Sequence, residues 1–263
     1  MEFAPRVPPR RIATDFDRMH AQEELPEPGQ ERRIADFYRE IKRPLIHKAL
    51  AAEARPETRL ILITSALPAE GKTFTALNLA LSIARERDVS VLLADADTPK
   101  KHLSRSFCIQ EEPGLLDALA DESIDVESLV LGTDIKGLEL LPVGRGADGA
   151  ASELLASVRM AKVALRLTAA HPRRLVLFDS PPLLVSSEAR ALNQFPGQIL
   201  MVTRSGTTPR QALLDALALI DKSKLHGLVL NDARATAGDG YSDYYGYYGY
   251  GSDESKSNAS GAG

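Results

Sequence analysis

The stretch Leu60-Ile-Leu-Ile-Thr-Ser-Ala-Leu-Pro-Ala-Glu-Gly-Lys-Thr73 joins a short apolar run to a turn that ends in glycine, lysine and threonine. A phosphate-binding loop has this order: a strand, a turn whose N–H groups face inward, a lysine for the outer phosphates and a hydroxyl for magnesium. Residues 75–84 follow with the amphipathic pattern of a helix. The stretch therefore predicts a nucleotide site at residues 66–73.

The pattern of the rest of the chain indicates the fold around this loop. After residue 58, short apolar runs alternate with amphipathic segments. Strands that are apolar on both faces and separated by helices indicate a parallel sheet covered on both sides. We predict an α/β protein with a doubly wound, mostly parallel sheet, the P-loop NTPase fold. The predicted strands are 60–64, 89–94, 138–143, 175–178, 199–202 and 228–230, and the predicted helices are 72–87, 151–169 and 208–222.

Composition limits the compartment and the partners. The 263 residues suit one folded domain, and the net charge of −4 argues against a nucleic-acid partner. The single cysteine, Cys108, excludes an internal disulfide and suits a reducing compartment. No apolar run approaches the roughly 20 residues that span a bilayer. We expect a cytoplasmic protein that reaches the inner face of the membrane only through a partner.

The two ends of the chain differ from its centre in amino-acid composition. Residues 1–30 carry five prolines among mixed charges, which predicts a disordered leader. Residues 31–235 form the predicted domain, and residues 236–263 form a low-complexity tail that we expect to be disordered. The domain begins with a predicted helix over 34–53 that Pro44 should divide or kink. Its expected apolar face consists of Ile34, Phe37, Ile41, Leu45, Ala49 and Ala52.

Aspartates follow two of the predicted strands. Asp95 and Asp97 end the strand at 89–94, and Asp179 ends the strand at 175–178. Magnesium bound to a nucleotide requires carboxylates that face the phosphate loop. A lone aspartate at a strand end is more often a cap or turn residue, but three of them beside a phosphate loop favour a metal-nucleotide site.

These motifs together resemble a known family. The loop, Asn78-Leu-Ala80, Asp95-Ala-Asp97, Asp179-Ser-Pro-Pro182 and the tyrosine-rich tail are similar to the bacterial tyrosine autokinases (BY-kinases) of capsule and exopolysaccharide export, most of all to the soluble kinases of exosortase-linked systems. The resemblance covers about residues 34–250. It implies an ATP-dependent autokinase that modifies its own tail in trans and regulates polysaccharide polymerisation and export. The implied phosphoacceptors are Tyr241, Tyr244, Tyr245, Tyr247, Tyr248 and Tyr250.

The resemblance also implies a role for each matching residue, with ATP and Mg²⁺ as cofactors. Lys72 would bind the β and γ phosphates, and Asp97, with Asp95 close behind, would receive the phenolic proton. Asn231 resembles the contact to the nucleotide base, although a strand-end turn explains it equally well. The implied metal ligands are Thr73, Asp95 and Asp179, and the implied ATP-binding residues are Ala66, Leu67, Pro68, Ala69, Glu70, Gly71, Lys72, Thr73, Phe74 and Asn231.

The family's partners follow from the same resemblance. Asp36, Arg39 and Lys42 match a helix motif that the family uses to assemble rings, and the alternative is a solvated charged face. The implied partners are further copies of the chain, a membrane chain-length protein that activates the kinase, and a tyrosine phosphatase.

Two departures keep other functions open. Ala69 stands where the family usually has glycine, and Thr98-Pro-Lys-Lys101 replaces an arginine-rich run. If residue 69 needs a positive φ, its methyl group costs on the order of 1 to 2 kcal/mol. One alternative is therefore a non-catalytic regulatory subunit. A partition-type ATPase is the other, and Leu67 argues against it because those proteins have a lysine at that position.

Overall fold

A computed structural model describes residues 10–145 and 150–233 of the chain. The predicted tail, with all six of its tyrosines, lies outside the described residues, and so do the first nine residues of the predicted leader.

A single mostly parallel sheet forms the centre of the described structure. Its eight strands have the order β1-β4-β5-β3-β6-β2-β7-β8, and every neighbouring pair is parallel except β4 with β5. The predicted doubly wound α/β fold is confirmed. The strands are β1 Arg11–Ile12, β2 Leu60–Ser65, β3 Ser90–Asp95, β4 Leu131–Thr133, β5 Leu138–Leu141, β6 Arg174–Asp179, β7 Gln198–Arg204 and β8 Leu225–Asn231.

Helices cover both faces of the sheet. The predicted helix at 151–169 is two helices, because Ser157 takes an extended ψ of 155° and caps the second one through Met160 N. Two short 3-10 helices, Pro56–Arg59 and Val126–Leu129, complete the described elements. The α-helices are α1 Phe16–Ala21, α2 Glu31–Ala49, α3 Lys72–Ala84, α4 His102–Ser106, α5 Leu115–Ala120, α6 Ala151–Ala156, α7 Val158–Ala169, α8 Ser187–Leu192 and α9 Arg210–Ala218.

The core lies on both sides of the sheet. Alternate residues of β2 enter different clusters: Leu60 and Leu62 pack with α5 to α9, whereas Ile61 and Ile63 pack with α2 and α3. Because side chains alternate across a strand, a strand buried on both faces reads as the continuous apolar run seen in the sequence. The same burial fixes the end of β2, where the phosphate loop starts.

The prediction of a disordered leader was wrong for residues 10–30. Met19 on α1 is fully buried, β1 pairs with β4, and Thr14 Oγ1 donates a 2.6 Å hydrogen bond to Asp134. These elements are only two and six residues long. Their periodicity is therefore too short to detect in the sequence, and contacts with distant residues hold them.

Helix α2 also differs from its prediction. It is continuous through Pro44, and its buried residues include Tyr38, whereas Phe37 is 48% exposed and Arg33 lies over its ring. Proline removes one internal hydrogen bond, but packing on α3 holds the helix together. The buried residues are Tyr38, Lys42, Leu45 and Ala49, so the predicted Leu45 and Ala49 are confirmed, whereas Tyr38 and Lys42 are buried in place of the predicted Phe37 and Ile41.

Candidate nucleotide site

The predicted phosphate loop lies between the end of β2 and the start of α3. Two of its residues have left-handed backbone conformations, Ala69 with φ 62° and Gly71 with φ 91°. A Cβ atom on Gly71 would lie 1.9 Å from Asn231 Nδ2, so only glycine fits there. The positive φ anticipated for residue 69 is therefore present, on a residue that has a methyl group.

The loop presents a row of backbone donors. Among the described residues, no acceptor is found for the N–H groups of residues 69–74. The first N–H groups of a helix lack partners within the helix, and successive N–H groups beside a left-handed residue form a concavity that binds anions. The backbone here has the form that cradles a phosphate.

Lys72, the first residue of α3, supplies the positive charge of the site. Its side chain is 7% exposed, and within the described ranges it makes no hydrogen bond or ion pair. Burial lowers its pKa, and the nearby carboxylates of Asp179 and Asp97 oppose that shift. A phosphate oxygen would give this ammonium the partner it lacks.

Asp179 faces the loop from the end of β6. It accepts a 2.7 Å hydrogen bond from Thr73 Oγ1, and its other oxygen, Oδ1, is buried without a partner among the described residues. Burial, together with repulsion from Asp95, raises the pKa of Asp179 to about 8. A divalent cation would remove the penalty that this fully buried carboxylate carries.

Asp95 lies opposite Asp179 in the β3–β6 register, and its oxygens are already engaged. Oδ2 accepts hydrogen bonds of 2.8 Å from Ser104 N and 2.6 Å from Ser104 Oγ, and Oδ1 accepts one of 3.1 Å from Asp97 N. Burial raises the pKa of Asp95 to about 6, although the Ser104 hydrogen bonds oppose this shift. Asp95 therefore ties β3 to α4, a link that the sequence analysis missed.

Asp97 has fewer contacts than Asp95. Asp97 is 4% exposed, and among the described residues its carboxylate accepts a single long hydrogen bond, 3.4 Å, from Lys100 N. Of the two neighbouring lysines in the substituted run, Lys101 donates a 3.0 Å hydrogen bond to the carbonyl of Gly144. The structure thus brings Asp97, Asp95 and Asp179 to the same sheet edge as Lys72 and Thr73.

Two more predicted residues, Asn231 and Glu70, hold the loop itself. Asn231 Nδ2 donates a 3.1 Å hydrogen bond to the carbonyl of Glu70. The Glu70 carboxylate accepts from Leu67 N and from Thr208 Oγ1, a residue that the sequence analysis did not select. No local signal marked Thr208, because it lies in the loop after β7.

The donor set fits magnesium held largely by the nucleotide. In the described ranges, no group of three His, Cys, Asp or Glu side chains could hold a metal ion by itself. Magnesium commonly keeps only one or two protein ligands besides phosphates and waters. The Thr73 hydroxyl and the unpartnered Oδ1 of Asp179 supply that number, whereas Asp95 has its oxygens occupied.

The predicted assembly motif is only partly on the surface. Asp36 and Arg39 form an exposed pair at 2.5 Å. Lys42 is buried, donates a 2.7 Å hydrogen bond to the carbonyl of Ser82, and pairs with Glu86 at 2.7 Å. The alternative of a solvated charged face therefore does not hold for Lys42, which joins α2 to α3.

Two tyrosine-protein kinases are similar to this chain over about three quarters of its length. No family model matches it. The chain is 35% identical over 195 residues to the tyrosine-protein kinase YwqD of Bacillus subtilis, covering 73% of this chain and 78% of YwqD. It is 31% identical over 203 residues to the tyrosine-protein kinase wzc of Salmonella typhimurium, covering 76% of this chain but 27% of that longer protein.

Solved structures agree with this result. The kinase domain of VpsO aligns with a TM-score of 0.60 at 27% identity, over 76% of this chain and 98% of that one. The kinase domain of the Escherichia coli tyrosine kinase ETK aligns with a TM-score of 0.64 at 26% identity, over 79% and 80% of the two chains. The cell division ATPase MinD of Pyrococcus furiosus, at 21% identity, over 65% of this chain and 71% of that one, with a TM-score of 0.55, shares the fold.

None of the helices in the described ranges combines the length and the hydropathy that a bilayer-spanning segment requires. With a relative 35% identical across more than two thirds of both chains, the chain belongs to the family of bacterial tyrosine-protein kinases.

Proposed function

We propose that this chain is an ATP-dependent protein-tyrosine autokinase that phosphorylates the tyrosines of its own tail in trans. The observation that carries the proposal is the convergence of Lys72 and Thr73 with Asp179 at one sheet edge. The named activity of the relatives, tyrosine-protein kinase, supports it. Through this reaction the chain would regulate exopolysaccharide polymerisation and export.

Each residue of the site would have a separate role in the reaction. Thr73 and Asp179 would hold Mg²⁺, which neutralises phosphate charge when bound. Loop N–H groups and Lys72 would bind the triphosphate. A tyrosine oxygen would form a bond to the γ-phosphorus as the bond to the β-phosphate oxygen breaks and ADP leaves. Asp97 would receive the phenolic proton, because Asp95 already accepts three hydrogen bonds.

The length of the tail permits transfer between subunits. Tyr241 follows Asn231 by ten residues, so it can reach roughly 33 Å from the end of β8 at about 3.3 Å per residue. Each phosphotyrosine adds about −1.5 to −2 charges. Six of them would repel crowded subunits, so we propose that modification disassembles a ring of unmodified chains and that a phosphatase resets the cycle.

The activator and the location of the kinase are part of the same proposal. A membrane chain-length protein would recruit the chain to the inner face of the membrane and complete its ATP site. The chain spans about a quarter of the length of the relatives wzc and etk, 27% and 28% respectively.

A phosphorylation assay tests the proposal directly. The full chain is incubated with ATP and Mg²⁺, with and without the cytosolic segment of a membrane chain-length protein, and phosphotyrosine is detected by blotting. We expect a signal that is lost in Lys72→Met and in a chain lacking residues 236–263. A mixture of these two variants should regain it, because each supplies what the other lacks. If phosphotyrosine is absent under all of these conditions, the proposal is overturned.

One observation favours a second candidate, the non-catalytic regulatory subunit. Ala69 has φ 62°, a strained conformation that weakens a loop unless other contacts hold it. In that case the tail would be the substrate of another kinase. A chain that binds no nucleotide but is phosphorylated by a second tyrosine kinase would establish this candidate. ATP hydrolysis without phosphotyrosine would instead favour the partition-type ATPase.

A further inference from the structure

Glu70 places a carboxylate inside a loop that would bind a triphosphate. Like charges in a weakly screened site repel, so this side chain makes nucleotide binding harder unless it has another role. Glu70 is only 3% exposed, and its carboxylate is therefore not simply turned away into water. Its contacts indicate what it does instead.

Both oxygens of the Glu70 carboxylate accept hydrogen bonds from separate segments. Oε2 accepts from Leu67 N at 2.6 Å, within the loop, and Oε1 accepts from Thr208 Oγ1, in the segment between β7 and α9. Thr208 Oγ1 in turn accepts a 2.9 Å hydrogen bond from Arg204 N. The carboxylate thus joins the phosphate loop to the end of β7.

The main chain of Glu70 makes a third link. Its carbonyl accepts the 3.1 Å hydrogen bond from Asn231 Nδ2, at the end of β8. The next residue, Asp232, pairs with Arg204 at 3.0 Å, which connects the ends of β7 and β8. Three chain segments therefore meet on this one residue.

Backbone strain explains why such a link is needed. Glu70 lies between Ala69 at φ 62° and Gly71 at φ 91°. A non-glycine residue in the left-handed region persists only where its surroundings hold it. The three links to Glu70 hold the residue that directly follows the strained alanine.

From these contacts we infer that Glu70 is a positioning residue: its carboxylate clamps the phosphate loop to Thr208 and holds it in the binding conformation before any nucleotide arrives. In this role it contacts neither the nucleotide nor the acceptor tyrosine. The inference deepens the proposed function and rests on it for the identity of the ligand, but the clamp itself is a property of the nucleotide-free chain.

Glutamine is the informative replacement at this position. Its Oε1 can accept from Leu67 N, and its Nε2 can donate to Thr208 Oγ1, which has two lone pairs and can accept from Arg204 N as well. Glu70→Gln therefore retains both links without the negative charge, whereas Glu70→Ala removes both. A clamp tolerates glutamine, but a charged group that acts in the chemistry does not.

The first experiment needs no nucleotide. Hydrogen exchange of the full chain is followed by mass spectrometry in peptides covering residues 66–74 and 204–209. We expect the amides of Leu67 and Arg204, which donate to Glu70 and to Thr208, to exchange at least tenfold faster in Glu70→Ala, and within about threefold of the parent in Glu70→Gln. The control is Glu53→Ala, an exposed glutamate beyond α2, which should leave both peptides unchanged. Unchanged protection in Glu70→Ala would overturn the clamp.

The second experiment measures the affinity for Mg²⁺·ADP by calorimetry and the phosphorylation kinetics. We expect Glu70→Ala to bind about tenfold more weakly, on the order of 1.4 kcal/mol, with KM for ATP raised more than kcat is lowered. Glu70→Gln should bind within about threefold of the parent. If Glu70→Gln loses kcat as severely as Glu70→Ala, the charge is what matters and the clamp is wrong.

The strained alanine provides an internal check. If the clamp holds residue 69 against its strain, Ala69→Gly should restore part of the protection that Glu70→Ala loses, because glycine adopts φ 62° without that cost. Strictly additive effects of the two substitutions would contradict the inference. If the parent chain binds no nucleotide at all, the proposed function fails, while the exchange experiment still decides the clamp.

Discussion

Thr73 Oγ1 donates a 2.7 Å hydrogen bond to Asp179 Oδ2, which links the first turn of α3 to the end of β6. The second oxygen of Asp179 is buried without a partner among the described residues, and Asp95 lies opposite in the strand register. Two buried carboxylates side by side are costly when both are ionised, and a bound cation would relieve that cost. We therefore expect the site to respond to pH and to magnesium.

The stability of the metal-free chain should fall as pH rises from 6.5 to 8. The pKa of Asp179 is about 8 in the folded chain and near its usual 3.8 when unfolded, so across this window the folded state holds a proton that the unfolded state has lost. Stability decreases with pH wherever the folded state binds more protons. Urea unfolding with a chelator should show a decrease that Asp179→Asn reduces.

Asp88→Asn, which removes an exposed carboxylate in the turn after α3, is the matched control for this measurement. It should keep the pH dependence of the parent. An identical decrease in the parent and in Asp179→Asn would show that Asp179 is ionised in the folded chain throughout this range.

The Thr73 hydroxyl should matter for nucleotide binding only when magnesium is present. Thr73→Val keeps the shape of the side chain but removes its oxygen, and we expect the affinity for Mg²⁺·ADP to fall about tenfold, as for the loss of one hydrogen bond or ligand of about 1.4 kcal/mol. Calorimetry with ADP and a chelator should show little change. Thr73→Ser should behave like the parent, and equal losses with and without magnesium would contradict a metal-ligand role.

The loop and the sheet were predictable because each depends on residues close together in sequence. The run at 60–64 is apolar on both faces, and the glycine, lysine and threonine follow it directly. The contacts that organise the site are different in kind. Asp95 meets Ser104 across the start of α4, and Glu70 meets Thr208 from 138 positions away. No periodicity or spacing rule detects such pairs.

Lys42 was misread for a related physical reason. A charged residue with charged neighbours on a helix indicates a solvated face, yet a lysine stem can pack along apolar surface while its ammonium finds a carbonyl. Here that carbonyl belongs to Ser82 on α3. The sequence cannot show this, since the partner lies 40 positions away.

The methyl group of Ala69 should cost the native chain stability. Ala69→Gly removes the left-handed strain at φ 62°, and we expect the free energy of unfolding to rise by about 0.5 to 1 kcal/mol after the entropy that glycine adds to the unfolded chain is subtracted. Urea unfolding measures this change. The same substitution at exposed Ala51, where φ is not positive, should not stabilise the chain. A loss of stability in Ala69→Gly would mean that residue 69 is not strained.

The N-terminal segment should contribute to the core. Met19 is fully buried with the α2 and α3 cluster, so Met19→Ala should lower the free energy of unfolding by about 2 to 5 kcal/mol. Phe16→Ala on the same helix is the comparison, because Phe16 is 44% exposed and should cost much less. Equal effects of the two substitutions in urea unfolding would indicate that α1 is not docked in solution.

Substitutions at Lys42 and Arg39 should distinguish a contribution to folding from a contribution to assembly. Lys42→Ala removes a charged hydrogen bond and an ion pair from a buried position, so we expect a loss of about 1.5 to 3 kcal/mol in the free energy of unfolding. Arg39→Ala removes only an exposed pair and should cost under about 1 kcal/mol.

Sedimentation of the unmodified chain then tests whether Arg39 takes part in the proposed ring. If Arg39 contacts a neighbouring subunit, Arg39→Ala should sediment as smaller particles at unchanged stability. An unaltered sedimentation profile would remove Arg39 from the assembly surface, and a loss of stability as large as that of Lys42→Ala would show that Arg39 also has a folding role.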